Sequence, residues 1–83
     1  MKIAENISWK TLQDKVVAVN VTSGVYYTMN AVASDIWQAL SRGLEQEALL
    51  EYLKGEYPDV DLEQLTNDLK EQLELWKSEK LLE

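Results

Sequence analysis

Hydrophobic and polar residues alternate along the first third of the chain with the period of two that is typical of β-strands. The β-branched run VVAVNV, residues 16–21, predicts one strand, and VYYTM, residues 25–29, predicts a second. The turn residues TSG lie between them, and Gly24 can adopt a positive φ. This pattern predicts an antiparallel hairpin. A weaker strand signal at residues 7–14 adds a third strand.

At Asn30 the period changes to that of a helix. Asn is a favourable N-cap, and Gly43 is placed to end the helix in a left-handed conformation. The apolar positions between them form one face that we expect to be buried: Val32, Ala33, Ile36, Trp37 and Leu40.

Two further helices are predicted in the second half of the chain. The segment LEQEALLEYLKGEY, residues 44–57, predicts a short helix that Gly55 and Pro58 end. Asp61 is placed to cap the third helix, with Gln64 as its capping-box partner. That helix carries one apolar stripe running to about residue 80: Leu62, Leu65, Leu69, Leu73 and Trp76, with Leu75 lying off it. The predicted fold class is α+β, a single domain over residues 1–83 with a three-stranded antiparallel sheet followed by three helices.

Composition and charge narrow the classes of function. The chain of 83 residues has no cysteine and no histidine, so the commonest general base and the Cys- and His-based metal ligands are missing. Serines have no histidine to activate them, and the three glycines are isolated rather than part of a phosphate-binding loop. These features favour a protein that is not an enzyme and has no cofactor. No segment is long and apolar enough for a signal peptide or a membrane span, which predicts a cytoplasmic protein.

The formal net charge of -7 is concentrated in the helical half of the chain. Residues 45–83 hold twelve acids against four lysines, a net charge of -8, whereas residues 1–44 carry +1. A hairpin with three helices can form a winged helix, but a DNA-reading helix presents basic and amide side chains to bases and phosphates. The third helix here is acidic, so we expect no nucleic-acid partner.

A hairpin whose second strand lies at the edge of the sheet leaves backbone N–H and C=O groups unpaired. An extended peptide can add to such an edge as a further strand, while neighbouring pockets select its side chains. Tyr26, Tyr27 and Met29 are suitable pocket residues. For Tyr27 and Met29, packing on the helices is favoured over contact with a guest peptide. For Tyr26, on the opposite face of the strand, both roles stay open.

The order of these elements resembles the PqqD-like proteins, also called RiPP recognition elements, which have a winged-helix-like fold. The similarity spans roughly residues 7–82 and is carried by VVAVNVTSGVYYTMNAVASDIWQALSRG, LKGEYPDVD and NDLKEQLELWKSEKLL. Met29 replaces the usual leucine, and AVAS replaces a segment in which a glycine is common.

The resemblance implies a protein that binds the leader segment of a ribosomally made precursor peptide and presents it to a maturation enzyme. Because the chain ends soon after the third helix, we expect a stand-alone recognition protein, and an excised domain of a larger enzyme stays open as the alternative. The maturation enzyme could be a leader peptidase of a lasso-peptide pathway, a radical SAM enzyme or the pyrroloquinoline quinone machinery. The implied peptide-binding residues are the edge strand and positions on the third helix: Val25, Tyr26, Tyr27, Thr28, Met29, Leu65, Asp68, Leu69, Gln72, Leu73 and Trp76. Asp68 matches an acidic position of the family, and its role there could equally be a structural hydrogen bond or a contact with the leader.

The alternative is an acidic regulatory or assembly module that self-associates through the same edge. We therefore expect a monomer or a weak homodimer.

Overall fold

The computed structural model describes all 83 residues and has the predicted α+β architecture. Three strands form one antiparallel sheet in the order β1-β2-β3, and three helices follow them along the chain. The elements are β1 (Ile7–Leu12), β2 (Lys15–Asn20), β3 (Tyr26–Thr28), α1 (Ala31–Ser41), α2 (Gln46–Glu56) and α3 (Leu62–Ser78). The predicted order and number of elements are confirmed.

The two hairpins place β3 at the edge of the sheet. β1 pairs with β2 from Ile7 opposite Asn20 to Leu12 opposite Lys15. Gln13 and Asp14 form the two-residue loop between them, with φ of 51° and 68°, as a type I′ turn requires. β3 pairs only with β2, with Tyr27 opposite Ala18. The other side of β3 therefore has no strand partner.

The inner face of β2 is formed by Val16 and Ala18, both fully buried. The valines of the other face, Val17 and Val19, are only half-buried, and Val21 is 63% exposed. The small side chain of Ala18 lies in the middle of the strand, on the face that packs against α1. β2 thus packs Val16 and Ala18 against the core and leaves Val17, Val19 and Val21 partly or largely exposed.

α1 begins and ends as predicted. The Asn30 side chain accepts a hydrogen bond from the Ala33 N–H at 2.9 Å, which caps the helix. Gly43 has φ of 92°, and its N–H donates to the Leu40 carbonyl while the Leu44 N–H donates to that of Ala39. These two bonds form a Schellman motif, which ends the helix where glycine is favoured.

The ends of α2 and α3 differ in detail from the prediction. α2 continues through Gly55 and ends at Glu56, so Pro58 follows the helix and Gly55 does not end it. Asp61 is the N-cap residue of α3, but its side chain makes no capping hydrogen bond, so the predicted capping box is wrong. The Asp61 carbonyl still accepts from the Leu65 N–H at 3.0 Å, which begins the helical ladder.

The core contains 17 buried hydrophobic residues contributed by the sheet and all three helices. At its centre the Trp37 ring packs edge-on against Trp9, with centroids 6.3 Å apart, and against Trp76 at 5.1 Å. These contacts join β1, α1 and α3 in one core.

The chain termini form a contact that the sequence pattern did not indicate. α3 ends in a second Schellman motif with Lys80 at φ of 63°, after which Leu81 and Leu82 are buried. Leu82 pairs with Ile3 as an antiparallel bridge, and the Ala4 N–H donates to the Leu81 carbonyl at 2.9 Å. This contact fixes the C-terminal end of α3 beside the sheet.

Candidate functional site

The outer edge of β3 presents unpaired backbone groups at two residues. The Asn20 N–H donates to the Val25 carbonyl at 2.9 Å, and the Met29 N–H donates to the Val16 carbonyl at 3.0 Å. Because the backbone N–H and C=O groups of successive residues alternate in direction along a strand, those of residues 25, 27 and 29 point toward β2. The N–H and C=O groups of Tyr26 and Thr28 therefore point away from the sheet.

A groove separates this edge and the start of α1 from α3. It consists of two adjoining cavities of about 340 and 360 Å³ that share Asn30, Ala33, Gln72 and Leu75. The first lies beside the strand and is also lined by Tyr27, Thr28, Met29, Trp76, Glu79 and Leu81. The second continues past the end of β3 and is also lined by Val32, Ile36, Asp68 and Glu71.

The five predicted strand residues occupy different positions around this groove. Met29 is buried in the core and Tyr27 is half-buried on the inner face, and both line the groove. Thr28 is exposed and also lines it. The Tyr26 side chain is 71% exposed but lines neither cavity, and Val25 is also exposed. Tyr26 thus contributes its outward backbone groups to the edge rather than a side chain to the groove.

The six predicted positions on α3 divide between core and groove. Leu65, Leu69 and Leu73 are at most 5% exposed and belong to the core. Leu69 and Leu73 border a different cavity on the α2 side of the helix. Asp68 and Gln72 are half-buried and line the groove, and the buried Trp76 forms part of its wall.

The groove is also lined by residues outside the predicted peptide-binding set. Leu75 is 52% exposed and lines both cavities, together with Asn30 and Ala33 at the start of α1. Glu71 lines the second cavity one turn after Asp68, and Glu79, which follows the last residue of α3, lines the first. The signal for Leu75 was present, since it is an apolar residue outside the core stripe and three positions after Gln72.

A buried serine connects the end of β3 to α1. The Ser34 hydroxyl accepts from the Val16 N–H at 2.8 Å and donates to the Met29 carbonyl at 3.3 Å. Val16 and Met29 would otherwise exchange both backbone bonds as a ladder pair, but only the Met29 N–H bond is direct. The hydroxyl therefore takes the place of the second ladder bond and holds the strand end against the helix.

The sequence and the fold of this chain are similar to those of known proteins. Residues 15–82 match the sequence family described as Coenzyme PQQ synthesis protein D (PqqD). The chain belongs to the PqqD family. The match begins at β2 and therefore includes the edge strand and both walls of the groove.

Two solved structures share the fold of this PqqD-family chain. One is TbiB1 in complex with the TbiA(beta) leader peptide, with 31% identity, a TM-score of 0.94, and coverage of 100% of this chain and 95% of that one. The other is a lasso peptide synthetase B1 complexed with the leader peptide, with 23% identity, a TM-score of 0.84, and coverage of 98% and 93%. The second likeness supports the fold alone. No curated protein matches the chain.

Outside the groove, the Tyr57 hydroxyl donates a hydrogen bond to an Asp35 carboxylate oxygen at 2.6 Å. Burial, followed by this hydrogen bond to Asp35, raises the pKa of Tyr57 to about 12. The contact ties the loop between α2 and α3 to α1. Asp35 and Tyr57 line neither groove cavity, so this contact stabilises the fold and lies outside the groove.

The structure has no cluster of three or more His, Cys, Asp or Glu side chains arranged to hold a metal ion. None of the three helices has the length and apolar composition that crossing a bilayer requires.

Proposed function

We propose that this chain is a non-catalytic adaptor that binds the leader segment of a ribosomally synthesised precursor peptide as an additional strand on β3. The observation that carries the proposal is the open β3 edge at Tyr26 and Thr28 beside a partly apolar groove. A modifying or processing enzyme then acts on the rest of the precursor while the leader stays bound.

The exposed backbone of β3 can form up to four hydrogen bonds with a guest strand. Tyr26 and Thr28 each offer one N–H donor and one C=O acceptor toward the open edge. These backbone bonds contribute affinity but do not distinguish one peptide sequence from another. Selectivity for a particular leader therefore depends on the groove beside the strand.

The groove offers apolar contacts to side chains that the guest directs toward α3. Leu75 is the main exposed apolar residue there, with the buried Met29 and Trp76 behind it. Each cavity is near the lower limit of about 300–1,000 Å³ for small-molecule pockets, which suits one or two peptide side chains. The guest residues that contact Leu75 are expected to be apolar.

Similarity to TbiB1 supports the class of guest. TbiB1 was solved with a leader peptide, and its fold matches that of this chain over the full length. The core residues Leu65, Leu69 and Leu73 have too little exposed surface to contact a guest, so the proposed α3 contacts are Asp68, Gln72, Leu75 and the exposed part of Trp76.

The partner enzyme would be a leader peptidase, a radical SAM enzyme or another modifying enzyme. We place the complex in the cytoplasm, where ribosomally made precursors are synthesised. In this arrangement the adaptor supplies binding and orientation, and the enzyme supplies the catalytic groups.

The test is titration of the isotope-labelled full chain with synthetic leader peptides encoded beside its gene. Binding tighter than about 100 μM, with the largest amide shifts at residues 25–29 and on the groove side of α3, is the expected result. Weaker binding by every such leader, or shifts confined to other surfaces, would show that the proposal is wrong.

A second candidate occupant of the edge is another copy of this chain. Tyr26 and Thr28 flank Tyr27 symmetrically, so two β3 strands could pair antiparallel about Tyr27 with the same four backbone bonds. Sedimentation over a range of concentrations distinguishes this case, because self-pairing predicts a dimer that leader peptide dissociates.

A further inference from the structure

The charged residues of the groove all have the same sign. The fourteen side chains that line its two cavities include three carboxylates, Asp68, Glu71 and Glu79, and no lysine or arginine. The two ion pairs in the structure join Glu45 to the N-terminal amine and Glu51 to Lys54. The groove carboxylates therefore have no cationic partner within the chain.

The side of α3 that faces α2 carries cationic residues, whereas the side that faces the groove carries none. Both lysines of the helix, Lys70 and Lys77, line the separate cavity that faces α2, where Glu74 lies between them. Glu74 is four residues from Lys70 and three from Lys77, which are the spacings of helical neighbours. Asp68 and Glu71 have no cation at either spacing. Asp68 and Glu71 are themselves three residues apart, so two like charges lie side by side on the groove wall.

The opposite wall at this point also carries no cationic side chain. It is formed by Asn30, Val32, Ala33 and Ile36, which are neutral residues at the start of α1. The start of α1 carries the partial positive charge of a helix N-terminus, which would favour an anion in the guest instead. The full charges of Asp68 and Glu71 outweigh that partial charge.

We infer that the leader segment bound in this groove carries a lysine or arginine that pairs with Asp68 and Glu71. The inference rests on the proposed function, because it describes the guest of the same groove. The cationic residue lies on the part of the guest that continues past Thr28, since Asp68 and Glu71 line only the cavity beyond the end of β3. An apolar residue beside Leu75 and a cationic residue beyond it together form the recognition pattern.

The test uses a display library of random twelve-residue peptides selected against the full chain. Three proteins are compared: the wild type, the double variant Asp68→Asn/Glu71→Gln, and the control Glu74→Gln, which alters a carboxylate outside the groove. We expect enrichment of lysine or arginine over acidic residues at one position with the wild type and with the control. The double variant should lose this enrichment while still selecting apolar residues.

One enriched peptide is then synthesised with its selected lysine and with glutamine in that place. Loss of the lysine charge should weaken binding to the wild type about two- to fivefold at low salt and leave binding to the double variant unchanged. Thermal unfolding should show that the double variant is at least as stable as the wild type, because like charges three residues apart are removed.

The outcomes separate this inference from the proposed function. Selected peptides that shift the Tyr26 and Thr28 amides but show no cationic preference, or an acidic one, would overturn the charge inference and leave strand addition standing. A cationic preference that survives in the double variant would overturn it as well. Failure of every library peptide and every leader to shift those amides would overturn the proposed function itself.

Discussion

The Ser34 hydroxyl lies 2.8 Å from the backbone nitrogen of Val16 and accepts its hydrogen bond inside the core. Ser34 is fully buried, and its hydroxyl also donates to the Met29 carbonyl. One side chain of α1 thus satisfies both the middle strand and the end of the edge strand. The buried hydroxyl of this helical residue therefore satisfies backbone groups of the sheet rather than of its own helix.

Replacing Ser34 by alanine should destabilise the protein by about 1–3 kcal/mol, because a buried donor and a buried acceptor lose their partner. Ser41→Ala is the matched control, since the exposed Ser41 hydroxyl donates only to the Gln38 carbonyl in the same helix. Urea unfolding of both variants measures the difference. Equal stability of the two would contradict the role assigned to Ser34.

Thr28→Pro should preserve the fold and weaken leader binding about tenfold or more. Proline removes the outward N–H, a bond worth about 0.5–1.5 kcal/mol, and its ring hinders the approach of a guest strand. Thr28→Ala keeps the N–H and should bind nearly as well as the wild type. Fluorescence anisotropy with a labelled leader gives the affinities, and an unchanged affinity in a folded proline variant would argue against strand addition.

Leu75→Ala should weaken leader binding about fivefold with little change in stability. The side chain is 52% exposed in the free protein, and burying this exposed surface under a guest peptide contributes about 1 kcal/mol to binding. Leu62→Ala provides the control, because Leu62 is 48% exposed on the same helix but lines neither groove cavity. Isothermal titration calorimetry distinguishes the two, and equal losses would place the guest elsewhere.

The hydrogen bond between Tyr57 and Asp35 predicts a loss of stability in alkaline solution. The folded-state pKa of Tyr57, about 12, is above its ordinary value of 10.0, so the contribution is complete below pH 10 and declines between pH 10 and 12. Tyr57→Phe cannot ionise and should lack this part of the decline. The free energies of unfolding of the two proteins, measured from pH 8 to 11.5, should approach each other as the pH rises. A constant difference between them would contradict the assignment.

The fold could be predicted because local signals and packing agree along most of the chain. Asn30 and Gly43 mark the ends of α1, where the local geometry requires a capping side chain and a positive φ. The β-branched run at residues 16–21 predicted a strand but did not show which face is buried. Ala18 and Val16 face inward because α1 packs closely there, which is a tertiary constraint with no local signal.

The groove could be predicted only in part. The family resemblance implied peptide contacts along the apolar stripe of α3, including Leu65, Leu69 and Leu73, but the structure buries that stripe in the core. A binding surface on the same helix lies on the flank of the stripe, at Asp68, Gln72 and Leu75. The role of Ser34 and the bridge between Ile3 and Leu82 depend on contacts between distant segments, which a single sequence does not reveal.

Hydrogen exchange at the four amides from Tyr26 to Met29 tests the central claim most directly. In the free protein the amides of Tyr27 and Met29, which point toward β2, should exchange slowly, and those of Tyr26 and Thr28 should exchange rapidly. A saturating leader peptide should slow Tyr26 and Thr28 by at least about tenfold. Bound leader that leaves these two amides in rapid exchange would contradict strand addition on β3.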